Sequence, residues 1–390
     1  MSSRSLKITL QPDVLRWARE RLRISQDELA QKMQVRPELV LEWEQSGRIS
    51  VAQADGLAQR THTPLGFLYL TEPPEDHLPI PDFRTRSDDT LPRPSPDLLE
   101  TVETMQRRQA WMRDELIEDD AAPLDFVGAY RIDAPPRQVA AAMRDALQLS
   151  YDWASQVSTW TDALKVLRDQ AEDAGVLVVF NGIVGNNTRR KLVPDEFQGF
   201  ALVDEHAPLI FVNSADFKAA QMFTFAHELA HLFVGETGVS IFQNLQPVPH
   251  ATERFCNQTA AEFLVPKDDL NNFWHTAKQA NDRYQAIARH FKVSSLVAAR
   301  RTLDLDLIDQ DEFFRFYQEY QDTEWHSRQQ DQASGGDFWN TQKWRIGPRF
   351  GTAIIRAVKE GRLLYREAYS LTGLKGDTFE RMPKKMGMLL

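Results

Sequence analysis

Residues 222–231, MFTFAHELAH, decide the fold of the central part of this chain. Four residues turn an α-helix by about 400°, so His227 and His231 lie on one face, one turn apart. Two imidazole nitrogens placed in this way can reach a single metal ion, and the His-Glu-x-x-His spacing is typical of zinc sites. The stretch therefore predicts a helix that carries Zn²⁺ on His227 and His231.

Glu228, which follows the first predicted ligand, is the candidate catalytic residue. Zinc lowers the pKa of a coordinated water to about 7, and a neighbouring carboxylate can take the proton as general base. The alternative is an amphipathic helix in which the motif occurs by chance. Phe223, Phe225 and Leu229 favour a buried helix, where two histidines and a glutamate without a use would be costly.

A catalytic zinc ion needs a third protein ligand and a fourth position open to water. Glu253 and Glu262 are candidates on one predicted helix, and nine residues rotate that helix by about 900°. The two carboxylates therefore point to opposite faces, and the helical pattern alone does not choose between them. Cys256 is a further candidate, although a lone cysteine beside an apolar helix face is more often simply buried.

The N-terminal part of the chain predicts short helices separated by tight turns. Apolar residues recur at helical spacing across residues 10–70. Ser25 and Glu28 have the spacing of a capping box at a helix start, and Pro37 suits the first turn of the next helix. Seven prolines between Pro73 and Pro96 then predict an extended linker, followed by a charged helix over residues 97–118.

The central part mixes helical and strand periods, which predicts an α+β domain. Short strands are expected at residues 176–180, 199–203 and 209–212, and helices at residues 217–234 and 253–264. The prediction for the whole chain is a multidomain α+β protein: an all-α helix-turn-helix domain, a zincin-like α+β domain and a small helical C-terminal region. The predicted boundaries are 1–72 for the first domain, 73–122 for the linker and helix, 123–303 for the zinc domain and 304–390 for the tail.

Composition narrows the classes of function. The net charge is −10, which lowers the expectation of strong unaided DNA binding, because phosphate contacts need basic patches. Cys256 is the only cysteine, which excludes an intrachain disulfide and fits a reducing compartment. An apolar run of membrane-spanning length and a secretory signal are both absent from the sequence, so we expect a cytoplasmic protein with no membrane partner.

The residues around the motif resemble those of ImmA/IrrE-type metallopeptidases. Residues 222–231 look like the first family signature, and residues 253–266, ERFCNQTAAEFLVP, look like the second. The resemblance implies that Glu253 is the third zinc ligand. It also implies a protease that cleaves a transcriptional repressor, in stress response or in the control of mobile elements.

Residues 10–70 are similar to XRE-type, lambda-repressor-like helix-turn-helix domains, on the strength of Ser25–Ala30 (SQDELA) and of Trp43-Glu44. The order of the domains, with PDFRT at residues 81–85 between them, resembles a subgroup of XRE-ImmA/IrrE fusion regulators. Fused members are often called antitoxin-like, which implies a toxin as a further possible partner. A homodimer is also consistent with a helix-turn-helix domain.

Double-stranded DNA is the partner that a helix-turn-helix domain would take, and its contacts would come from Arg36, Glu38, Glu42 and Arg48. The two glutamates repel phosphates, so a domain used for dimerisation or protein contact is the competing interpretation. The sequence therefore supports two functions. The first is a zinc endopeptidase acting on a regulatory protein, and the second is a DNA-binding regulator or antitoxin whose peptidase-like domain only binds a partner or ligand.

Overall fold

The structure is a computed structural model that describes residues 6–83, 93–240, 250–330 and 337–388, with the side chains of residues 322–330 excepted. The chain divides into two compact units. The first comprises Met1–Pro79 and Asp88–Glu103, and the second comprises Ile80–Ser87 and Thr104–Leu390.

Within the described residues, the first unit contains four short α-helices, one 3₁₀ turn, two short strands and the first residues of a fifth α-helix. Its helices are α1 (Pro12–Glu20), α2 (Gln26–Met33), α3 (Pro37–Ser46) and α4 (Val51–Arg60), followed by the 3₁₀ turn Leu65–Tyr69. The predicted capping box begins α2, since the Ser25 hydroxyl accepts from the Glu28 amide and the Glu28 carboxylate accepts from the Ser25 amide.

The core of this unit is apolar, and a charged residue is buried beside it. Trp43 is 1% exposed and packs among Leu15, Leu29 and Leu57. Glu44 beside it is also buried, and it accepts hydrogen bonds from Arg19 Nε at 2.6 Å and Gln26 Nε2 at 2.7 Å. Because a buried charge needs such partners, Glu44 ties α1 and α2 to α3.

The prediction of an all-α first domain is wrong in one respect. Strands β1 (Lys7–Thr9) and β2 (Arg48–Ser50) pair in antiparallel fashion, with Ile8 opposite Ile49. Strands of three residues are too short to show a two-residue period, and their pairing depends on backbone bonds between distant parts of the chain. The sequence pattern therefore did not indicate them.

The second unit contains a four-stranded mixed sheet and most of the helices. Its strands are β3 (Leu177–Asn181), β4 (Gly199–Leu202), β5 (Leu209–Asn213) and β6 (Gly238–Ser240). Their order is β3-β5-β4-β6, with β3 parallel to β5 and β4 antiparallel to both β5 and β6. The prediction of a mixed α+β domain is confirmed; β6, three residues long, was not foreseen.

The helices of this unit surround the sheet and extend to the C-terminal region. They are α5 (Pro96–Glu118, of which residues 104–118 belong here), α6 (Pro136–Ala146), α7 (Trp160–Asp173), α8 (Lys218–Val234), α9 (Ala251–Leu264), α10 (Lys267–Ala277), α11 (Arg283–Phe291), α12 (Ser295–Asp304), α13 (Gln310–Gln330), α14 (Phe338–Ile346), α15 (Pro348–Lys359), α16 (Tyr365–Thr372) and α17 (Gly376–Met386). No helix in the described ranges is long and apolar enough to cross a membrane.

Helix α8 lies at the centre of the second unit. It packs against β4 and β5 on one side and against α6, α7 and α9 on the others. Phe225 of α8 stacks on Phe180 of β3 with ring centroids 6.2 Å apart. Because α8 is enclosed on all sides, residues 224–233 are buried without interruption, and its polar side chains are buried with the apolar ones.

The C-terminal helices pack on the same sheet rather than forming a separate tail. Trp344 of α14 meets the edge of Phe180 at 5.0 Å, and Arg168 of α7 lies over the Trp344 ring at 4.3 Å. Arg108 of α5 donates to the carbonyl oxygens of Leu371 and Arg345. These contacts fix α14 to α17 against the body of the second unit.

Glu172 of α7 makes the stability of this packing depend on pH. Burial raises its pKa to about 8, although its carboxylate accepts a hydrogen bond from the Arg349 amide at 3.1 Å. Between its ordinary pKa near 4.5 and this value, the folded chain keeps a proton that the unfolded chain releases. The free energy of unfolding contributed by this group therefore falls as the pH rises through that range.

We predict that Glu172→Gln, which keeps the acceptor but cannot ionise, lessens the loss of stability at alkaline pH. The gain over the unsubstituted protein should reach roughly 2 to 4 kcal/mol near pH 9 and vanish near pH 5. Thermal unfolding measured across that pH range tests this, with the exposed Glu205→Gln as the matched control. Parallel pH profiles for the two variants would contradict the assignment.

Candidate metal centre

Helices α8 and α9 bring three metal-binding side chains together. His227 and His231 lie one turn apart on α8, as the motif predicts, and Glu253 lies in the first turn of α9. The two histidines are fully buried and Glu253 is 1% exposed. The helical pattern alone did not choose between Glu253 and Glu262, whereas the family resemblance implied Glu253. The structure places Glu253 with the histidines.

The donor atoms of these three residues converge on one point. The Nε2 atoms of His227 and His231 are 3.0 Å apart. The Glu253 oxygens lie 3.2 Å from Nε2 of His227 and 3.0 Å from Nε2 of His231. Three donors this close form one face of a small coordination polyhedron, and they are the group in the described residues that could hold a metal ion.

Both imidazoles are oriented by partners on their other ring nitrogen. His227 Nδ1 lies 2.9 Å from Oδ1 of Asn257, and His231 Nδ1 lies 3.1 Å from the carbonyl oxygen of Glu236. Both partners are acceptors, so each Nδ1 carries the proton and each Nε2 presents its lone pair to the centre. Such partners fix the tautomer and orientation of metal-bound histidines.

The donor set fits Zn²⁺. Zinc binds imidazole nitrogen and carboxylate oxygen at about 2.0–2.2 Å in a tetrahedron, whose edges are then roughly 3.3–3.5 Å. The observed separations of 3.0 to 3.2 Å are close to such an edge. Glu253 Oε1 is buried and, within the described ranges, lacks a hydrogen bond of acceptable geometry although His231 Nε2 is near. A cation would satisfy that oxygen.

Glu228 lies beside this cluster, on the side of strand β4. It is fully buried, and neither carboxylate oxygen has a hydrogen-bond partner among the residues that the structure describes. Gly199 of β4 makes the space for it, because a Cβ there would come within 2.8 Å of Glu228 Oε1 and would also collide with Thr224. The carboxylate is therefore left available next to the predicted ligands.

The electrostatics of the cluster follow from burial and mutual contact. Burial lowers the pKa of His227 and raises the pKa of Glu228 to about 8. Burial also acts to raise the pKa of Glu253, but His227 and His231 outweigh it, so that pKa lies well below its ordinary value. At His227 this gives a neutral imidazole beside an ionised carboxylate, which is the state in which these side chains ligate a metal. At His231 burial is outweighed by Cys256, Glu253 and Glu228, so the pKa of that imidazole lies well above its ordinary value.

Glu262 and Cys256 occupy other positions. Glu262 forms a buried ion pair with Arg301 and accepts from the Lys267 amide, so it serves the packing of α9 against α12. Cys256 is buried beside His231, and burial raises the pKa of its thiol. It stands outside the converging group of His227, His231 and Glu253.

The residues predicted to contact DNA all lie in the first unit. Arg36 is the N-cap of α3, Glu38 and Glu42 follow on that helix, and Arg48 begins β2. All four side chains are exposed. Their role stays a prediction.

Three contributors to the centre were not predicted: Asn257, the carbonyl of Glu236, and Phe83. Asn257 follows Glu253 by four residues, a helical spacing that could have identified it. Glu236 contributes through its backbone carbonyl, and a backbone contact cannot be predicted from the type of residue. Phe83 belongs to the proline-rich segment, and its ring stacks on His231 at 5.8 Å.

Comparison with known families agrees with this geometry. Residues 171–303 match the peptidase family M78 model described as the IrrE N-terminal-like domain, a span that contains both α8 and α9. Residues 346–385 match a domain of unknown function (DUF8813). No curated protein matches the chain. The central part of the second unit is therefore similar to the IrrE N-terminal-like domain, and it contains a His-His-Glu cluster that could bind a metal.

We predict that the purified protein binds about one zinc ion per chain. His227→Ala and Glu253→Ala should lose it, and Asn257→Ala should bind it roughly 10–100-fold more weakly, because the His227 ring is no longer held. Metal analysis after dialysis against defined zinc concentrations measures this. Glu262→Gln is the matched control and should retain the metal; loss of zinc in that variant with retention in Glu253→Ala would reverse the assignment.

Proposed function

We propose that this chain is a zinc-dependent endopeptidase that cleaves a regulatory, repressor-like protein. The observation that carries the proposal is the convergence of His227, His231 and Glu253 on one point, with the buried carboxylate of Glu228 beside it. The likeness of residues 171–303 to the IrrE N-terminal-like domain supports the class of reaction. The class of substrate rests on the resemblance to ImmA/IrrE-type proteases, which suggests a role in stress response or mobile-element control.

The residues divide the work of peptide hydrolysis. His227, His231 and Glu253 would hold the zinc ion, which would supply Lewis-acid chemistry toward a carbonyl group and a water molecule. Glu228 accepts a proton from the attacking water and can return it to the departing amine as general acid. Asn257 and the Glu236 carbonyl hold the two imidazoles in the tautomer that this chemistry needs.

Three protein donors leave a fourth position for water or substrate, which distinguishes this site from a structural one. Structural zinc sites usually close with four protein ligands, often cysteines. Cys256 is the chain's only cysteine, and it lies outside the converging group. The donor set therefore favours a catalytic site.

We predict that Glu228→Gln keeps its zinc but loses roughly 10²–10⁴-fold in peptidase activity, because only the general base is removed. Labelling of new N-termini in a lysate treated with the unsubstituted protein identifies the cleaved bond, and a peptide spanning that bond then gives the rates. Glu205→Gln, at an exposed site, is the control for a change of charge. An unchanged rate in a zinc-loaded Glu228→Gln would refute the mechanism.

DNA binding is a second candidate function, either as a transcriptional regulator or as an antitoxin. The supporting observation is the arrangement of α2 and α3, which are joined by residues 34–36, with Arg36 exposed at the start of the second helix. In helix-turn-helix proteins the first residues of the second helix meet the DNA. A toxin partner and a homodimer remain parts of this proposal.

We predict that Arg36→Ala and Arg48→Ala each weaken binding to the chain's own promoter, whereas Glu38→Gln with Glu42→Gln strengthens it, because phosphate repulsion is removed. A mobility-shift titration at two salt concentrations measures these changes, with and without a zinc chelator. Trp43 is not a suitable position for a substitution that tests DNA binding, because its side chain is buried in the core of the first unit. If neither the arginine variants nor the double glutamate variant changed the affinity for DNA, α3 would not be the DNA-contacting helix.

A further inference from the structure

Strand β6 has a second backbone partner besides β4. The amide of Val239 donates to the carbonyl oxygen of Pro81 at 3.0 Å, and the amide of Phe83 donates to the carbonyl oxygen of Val239 at 3.1 Å. Asp82 thereby forms a parallel bridge with Val239. Residues 81–83 thus pair with the outer edge of the sheet through an isolated β-bridge.

The side chain of Phe83 is seated between this edge and the candidate metal centre. Its ring stacks on His231 with centroids 5.8 Å apart and planes 15° apart, and it meets His250 at 4.7 Å. We call the space bounded by Gly238, His231 and His250 the seat of Phe83. Gly238 forms its floor, because a Cβ at that position would overlap the Phe83 ring. Phe83 is 7% exposed, so the seat is almost completely filled.

These contacts divide into a general part and a specific part. The two bonds to Val239 involve only backbone atoms, so any extended peptide could make them. The specific part is the aromatic ring over Gly238 and His231. An exposed sheet edge binds extended peptides in this way, with the backbone giving affinity and side-chain seats giving selectivity.

The sequence of the segment suits it to an edge position. Pro81 has no amide hydrogen, and prolines at positions 79 and 81 limit further backbone pairing along the edge. Prolines also favour the extended backbone that pairing with an edge needs. Within the described residues, the contacts with β6 and the centre are therefore two backbone bonds and the packing of one aromatic ring, which a peptide of similar sequence could reproduce.

We propose that the outer edge of β6 is an acceptor site for an extended peptide with an aromatic side chain, and that residues 81–83 fill this site as an intramolecular competitor. A substrate or partner peptide would pair with Val239 and place its aromatic ring over Gly238, against His231. The consequence for catalysis rests on the proposed function, since only then would the occupied edge keep a peptidase latent. The peptide-binding site itself does not depend on it.

The test uses the full chain and a fluorescein-labelled, amidated peptide with the sequence of residues 77–83, HLPIPDF. Phe83→Ala empties the seat, so this variant should bind the peptide about ten-fold or more tightly than the unsubstituted protein in an anisotropy titration. The same peptide with alanine in place of phenylalanine should not bind. Equal affinity for the two proteins, or for the two peptides, would overturn the proposal.

A second variant and an independent measurement distinguish a change in the peptide site from a folding defect. In Phe83→Ala with Gly238→Ala, the added methyl group closes the seat, so peptide binding should be lost while the far-ultraviolet circular dichroism stays unchanged. Zinc should pass to a chelator faster from Phe83→Ala than from the unsubstituted protein, because the ring that covers His231 is gone. Retained peptide binding in the double variant would contradict the seat.

The two proposals fail separately. Peptide binding to Phe83→Ala is measurable in a Glu228→Gln background, where no cleavage is expected. If the peptide binds but no proteolysis is detected, the endopeptidase proposal is refuted and the acceptor-site proposal stands. If the unsubstituted protein and Phe83→Ala cleave a substrate at the same rate, the endopeptidase proposal stands, and residues 81–83 do not inhibit it.

Discussion

The second unit depends on the burial of two histidines and two glutamates on facing helices. His227, Glu228, His231 and Glu253 are all essentially inaccessible, and burying so much polarity is costly unless the groups satisfy one another. The surrounding structure supplies that compensation. Asn257 Oδ1 and the Glu236 carbonyl oxygen accept hydrogen bonds from the Nδ1 atoms of the two imidazoles, and the carboxylate of Glu253 faces both Nε2 atoms.

What remains uncompensated indicates what the site is built to hold. Oxygens of Glu228 and Glu253 lack hydrogen bonds within the described ranges, although they stand next to three converging donors. A divalent cation satisfies such a cluster better than any rearrangement of protons, since it interacts with all the donors at once. Gly199 adds to this, because a Cβ at that position would collide with Glu228 Oε1 and with the Thr224 side chain.

The sequence predicted the centre of this arrangement well because its determinants are local. The four-residue spacing of the histidines, the helix that carries them and the three strands before it follow from periodicity alone. The choice of Glu253 over Glu262 did not follow, since both lie on α9 and only tertiary packing decides which face meets α8. Glu262 is instead paired with Arg301, a contact between residues far apart in the chain.

Strands β1, β2 and β6 were missed for the same reason: each has three residues and is defined by its partners. The seat of Phe83 on His231 was likewise invisible, because it joins the proline-rich segment to a helix distant in sequence.

X-ray absorption at the zinc edge of the purified protein tests directly whether three protein ligands leave a fourth coordination position for water or substrate. We expect a first shell of nitrogen and oxygen at about 2.0–2.1 Å, with the scattering pattern of two imidazoles and no sulfur. A sulfur neighbour at about 2.3 Å would show that Cys256 closes the site as a fourth protein ligand, which would contradict a catalytic centre.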